Sequence, residues 1–171
     1  MAYRVQFIPW RVAKALGPYV RREHGDETVL EKQDLVLGVG KDGLYRLGLV
    51  RAGTPPSAIS EHAFRAYLDN NGSLLPVAHT PAVIAAVEVI PGQVVRAILA
   101  ACREQERTGK PPLVEDVSWE KERDVIVVML SPPALSEEDT AKVGGKTSAG
   151  EEIHYHIETS TYRVVRTTWG R

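Results

Sequence analysis

Two histidines one residue apart, His154 and His156, come nearest in type and spacing to a reactive centre. On an extended segment residues i and i+2 share a face, so both imidazoles would point the same way, toward one metal ion. A tetrahedral site needs two further ligands. Glu152 and Glu158 share that face, whereas His24, His62 and His79 lie too far along the chain to assign. A solvated polar face opposite Ile153, Tyr155 and Ile157 accounts for the same residues, and no metal site is assigned. The remaining motifs fail on context. Gly145-Lys146-Thr147 ends like a phosphate-binding loop, but Thr140 stands where that motif needs glycine, and no strand and helix are expected around it. Gly38-Val39-Gly40 opens a hairpin rather than a helix, so it is no dinucleotide fingerprint. Cys102 falls on the apolar face of a helix, away from the N-terminal amides that stabilise a thiolate. No catalytic residue and no cofactor is therefore assigned. For an enzyme whose groups converge only in space, Glu61, His62, His79, His154 and His156 are the residues to inspect in a cleft.

The cations suggest a second chemistry. The 171 residues carry 21 Lys+Arg against 22 Asp+Glu, a formal charge of −1, so nothing in the total charge draws the chain to nucleic acid. The first 25 residues differ: Arg4, Arg11, Lys14, Arg21 and Arg22 face the single Glu23. On a helix, Arg11, Lys14, Arg21 and Arg22 would suit phosphates, with Trp10 and Tyr19 beside them for bases. The same cations also complement the C-terminal end of a helix dipole, as a solvated face would.

These residues need elements to hold them. Residues 3–8 alternate as a short strand, and Pro9 suits the first turn of the helix that Val12, Leu16, Tyr19 and Val20 extend. Residues 34–39 and 44–51 alternate on either side of Gly40-Lys41-Asp42-Gly43, whose Asp-Gly pair predicts a hairpin with positive φ angles. Thr54 and Pro55 open a predicted helix with Ile59, Ala63, Phe64, Tyr67 and Leu68 as its buried stripe. Residues 82–90 read as a strand, although periodicity alone does not separate strand from helix there. Residues 93–108 form a helix whose broad apolar face includes Val94, Val95, Ile98, Leu99, Ala101 and Cys102. Residues 113–119 and 124–130 make a second hairpin, and the second of these strands is apolar in both phases, which places it mid-sheet. Residues 131–150 have no apolar period and read as a flexible tether. A strand over 151–158 and an extended segment ending at Trp169 follow.

The expected fold is α+β: a mixed, mostly antiparallel sheet with two hairpins, about three helices and an extended C-terminal arm. The expected organisation is a compact core over 1–130, a tether over 131–150 and a β arm over 151–171. Average composition, 43% hydrophobic and 25% charged, excludes wholesale disorder and collagen. One cysteine excludes an internal disulfide. The start lacks a secretory pattern, and no apolar run approaches the ~20 residues that span a bilayer, so a cytoplasmic protein with no membrane contact is expected. A tethered strand can add to a neighbour's sheet. The leading expectation is thus a non-enzymatic structural or interaction subunit of a larger assembly, such as a small virion or ring-forming component. It would be a homo-oligomer or bind other subunits, docking through Ile153, Tyr155, Ile157, Tyr162, Val164 and Trp169. A nucleic-acid-binding accessory or regulatory protein using the basic N-terminal helix is the alternative.

Overall fold

In chain order, the strands of the computed structural model are β1 (Phe7–Pro9), β2 (Gln33–Gly40), β3 (Tyr45–Arg51), β4 (Phe64–Leu68), β5 (Leu74–Pro76), β6 (Ile84–Ile90), β7 (Asp116–Glu122), β8 (Val125–Ser131), β9 (Lys146–Thr147), β10 (Gly150–Glu151), β11 (Ile153–Glu158) and β12 (Val164–Trp169). Among the described residues two α-helices, α1 (Trp10–His24) and α2 (Gly92–Arg107), accompany them. The structure describes residues 7–77, 84–108, 113–135, 146–147 and 149–170. The fold is α+β, and every described strand pairing is antiparallel. The chain forms two units, Lys14–Arg96 and Met1–Ala13 with Ala97–Arg171. Among the described residues no helix is long and apolar enough to cross a membrane.

In the unit Lys14–Arg96 the sheet order is β5-β4-β3-β2-β6. The β2–β3 hairpin follows local chemistry as expected, with Leu37 opposite Leu47 and Val39 opposite Tyr45. Its turn takes a positive φ only at Gly43, 75°. Asp42 instead uses its carboxylate, accepting from the Leu44 N–H at 3.1 Å and from both terminal nitrogens of the buried Arg46 at 2.9 and 2.7 Å. Residues 84–90 are a strand, in line with the reading of 82–90 over the part described. Asp34 ties the unit together: one carboxylate oxygen accepts from Gly92 N–H at 3.0 Å, at the start of α2, and the other from Gly53 N–H at 2.9 Å.

The helix expected after Thr54 is a correction. Two single 3₁₀ turns, Pro56–Ala58 and Glu61–Ala63, lead into strand β4, which leaves two α-helices among the described residues rather than about three. Phe64, Ala66 and Leu68 are buried and alternate with exposed Arg65 and half-buried Tyr67, a period of two. Over five residues that pattern overlaps the helical stripe, and pairing with β3 decides between them. The approach is close at Gly48, where a Cβ would strike the Ala63 carbonyl.

In the other unit the sheet order is β1-β7-β8-β11-β12. Strand β8 is central, and Ile126, Val127 and Val128 are buried in succession, as its two-phase apolar pattern requires. Strands β9 and β10 pair separately.

The C-terminal arm is the second correction. Strand β11 lies between β8 and β12, with Ile153 opposite Leu130, Tyr155 opposite Val128 and Ile157 opposite Ile126. Ile153, Tyr155 and Ile157 are 5%, 2% and 0% exposed, so they belong to the unit's own core and are not partner-binding residues. The physical reason lies in β8, which is apolar on both faces and flanked on both sides; β11 supplies one of those flanks. Of the segment expected as a tether, residues 136–145 and 148 lie outside the described residues.

Candidate functional site

Among the described residues strand β12 is the edge of its sheet, and pairing with β11 determines which of its backbone groups face outward. Gly170 N–H donates to the Glu152 carbonyl at 2.8 Å. Hydrogen-bonded and non-hydrogen-bonded pairs alternate along an antiparallel ladder. The register His154–Thr168 and His156–Arg166 therefore turns the backbone groups of Thr168 and Arg166 toward β11, and those of Thr167 and Trp169 toward the open edge. Val165 sits at a bulge and is 57% exposed; Trp169 is 59% exposed. This edge is rich in β-branched and aromatic residues and carries one charge, Arg166, so little guards it against strand addition.

Beside the edge runs an open groove of about 690 Å³, lined on one side by Ala100, Arg103, Glu104 and Arg107 of α2 and on the other by residues 162–167. Among the described residues four arginines line it, Arg103, Arg107, Arg163 and Arg166, against the single carboxylate of Glu104. Arg107 grips Glu104 through two bonds of 3.0 and 2.6 Å, and these hold the Glu104 carboxyl below the usual carboxylate range. The groove is therefore electropositive. A smaller cavity of about 320 Å³ shares Glu104 and Thr167 with it and reaches Gln105, Tyr155 and Trp169.

The histidines lie on the opposite face of the sheet from Tyr155. His154 Nε2 meets Glu152 Oε1 at 2.6 Å, and Glu152 Oε2 accepts from the Ser131 hydroxyl at 2.7 Å. A carboxylate standing between serine and histidine gives the hydroxyl no imidazole base, so this trio lacks the order that activates a nucleophile. His156 Nε2 lies 3.2 Å from Thr168 Oγ1, and desolvation together with the Arg166 guanidinium pushes its imidazole below its ordinary value. Among the described residues no three His, Cys, Asp or Glu side chains converge to hold a metal.

The basic helix presents Arg11, Lys14, Arg21 and Arg22 to solvent. Of the two aromatics in that expectation, Tyr19 is fully buried and out of reach of a base, whereas Trp10 is half-buried. Arg22 lies 5.8 Å from the Tyr19 ring centre, pairs with Glu23 at 3.2 Å and donates to the Leu74 carbonyl at 3.3 Å. Glu61 and His62 are exposed on one 3₁₀ turn, Cys102 is buried, and His79 lies outside the described residues. Of the residues expected to bind a partner, Val164 and Tyr162 line the arginine groove and Trp169 stands on the edge strand. Sequence reasoning missed Arg103, Arg107, Arg163 and Arg166. Their spacings, four apart on a helix and three apart around a strand start, were visible; their convergence was not. No family model, no curated protein and no solved structure matches the chain.

Proposed function

We propose that the protein is a non-enzymatic interaction subunit that captures an acidic, extended segment of another protein along the edge of β12. The observation that carries this reading is the open edge at Thr167 and Trp169 beside a groove lined by four arginines. An edge strand offers alternating N–H donors and C=O acceptors, which match another peptide backbone. Phosphates only accept, so the same edge is poorly used by nucleic acid. Arginine pairs with carboxylates through two parallel N–H···O bonds, which favours Asp- and Glu-bearing segments. A second copy of this chain fits less well, because β12 against β12 would set Arg163 and Arg166 near their own counterparts. The cytoplasm, or a virion shell, is the setting this role implies.

The test is titration of the full chain with an octapeptide alternating glutamate and valine, followed by NMR of the β12 amides. Binding that moves Thr167 and Trp169 and weakens with salt or with Arg163→Glu supports the reading. Unmoved β12 amides, self-association through β12, or preferential binding of single-stranded DNA in the groove overturns it.

A further inference from the structure

We infer that the cavity lined by Gln105 and Trp169 binds a neutral aromatic ring carrying a carbonyl group, whether or not a strand is docked on β12. Gln105 is fully buried, at 0% exposure, and lines this cavity. One end of its amide is committed: Oε1 accepts from the Tyr155 hydroxyl at 2.7 Å. The other end, Nε2, is buried and has no hydrogen-bond partner among the described residues. A desolvated N–H without an acceptor is costly, and a ligand carbonyl entering the cavity would remove that cost. The neighbouring Thr108 hydroxyl donates to the Gln105 backbone carbonyl at 2.7 Å and makes no hydrogen bond with Nε2.

The walls define the rest of the ligand. Trp169, more than half exposed on the edge strand, offers an indole face for an aromatic ring, and buried Ile153 adds an apolar wall. The volume of about 320 Å³ suits a single-ring compound. Glu104 and Glu151 both line the cavity, and their charge disfavours an anion, so the acceptor is a neutral carbonyl rather than a carboxylate. This site needs neither the arginine groove nor the open backbone edge.

The experiment uses the full chain labelled with 15N and four single-ring probes: acetophenone, which brings an acceptor; ethylbenzene, which has the same outline without one; aniline, which brings a donor; and benzoate, which brings a charge. Acetophenone is expected to shift the Gln105 side-chain amide and Trp169 indole signals saturably. It should bind roughly three- to tenfold more tightly than ethylbenzene, the worth of one neutral hydrogen bond. Gln105→Met keeps the side chain's length and should erase that difference, and Trp169→Ala, at an exposed position, should weaken both probes. Equal binding of acetophenone and ethylbenzene by the native protein, a preference for aniline or benzoate, or a Gln105 amide that stays unmoved overturns the inference. If Gln105→Met does not fold, the native-protein comparison decides alone.

Discussion

Replacing Thr167 by proline removes one N–H from the open side of β12 and none from the side that faces β11. The ladder to β11 runs through Arg166, Thr168 and Gly170, so it survives, and the cost to the fold is about 1 kcal/mol, the span of strand propensities. A docked strand loses more. Its carbonyl opposite Thr167 would be left without a donor at a cost of about 1–3 kcal/mol, which weakens binding roughly five- to 150-fold. Thr168→Pro is the control of opposite parity. It deletes an N–H aimed at the His154 carbonyl and should cost the fold about 1–3 kcal/mol beyond the propensity term. Urea denaturation reads the stability of both variants, and calorimetric titration with the glutamate–valine octapeptide reads docking. Equal destabilisation by the two prolines would refute the assignment of outward and inward groups. Native affinity in a folded Thr167→Pro variant would refute docking along this edge.

Three further outcomes follow from named contacts. Asp34→Ala orphans the N–H groups of Gly53 and Gly92 and should lower unfolding stability by about 1–3 kcal/mol in urea titration. His156 titrates below its ordinary value when folded, so the unfolded chain takes up more protons below about pH 6.5 and stability falls as acid is added through that range. His156→Asn should flatten this slope and leave stability at pH 8 nearly unchanged. The hydrogen bonds from Arg46 hold the Asp42 carboxyl at about 2, so its contribution is complete above the unfolded value of about 3.9 and is lost as pH falls through 2. Asp42→Asn should lower stability at neutral pH and remove the acid-limb slope between roughly pH 4 and 2, measured by circular dichroism.

The β2–β3 hairpin, helix α2 and the central place of β8 were legible in the residues because each depends on neighbours close along the chain. Gly43 determines its own φ, α2 carries a continuous apolar face, and consecutive Ile126, Val127 and Val128 leave no polar side to expose. Residues 64–68 were not, since Phe64, Tyr67 and Leu68 satisfy helical spacing while Phe64, Ala66 and Leu68 satisfy strand spacing. Only a β3 edge, brought close by Gly48, selects the second. Likewise the alternation of Ile153, Tyr155 and Ile157 announces a buried strand face without naming the sheet that buries it. The arginine groove lies further still from local reading, for it requires residues 103 and 107 of a helix to meet residues 163 and 166 beside a strand. Side-chain pattern along the chain thus determined which faces avoid water. Which strands they meet, and which charges gather at the open edge, are long-range pairings that only the tertiary structure decides.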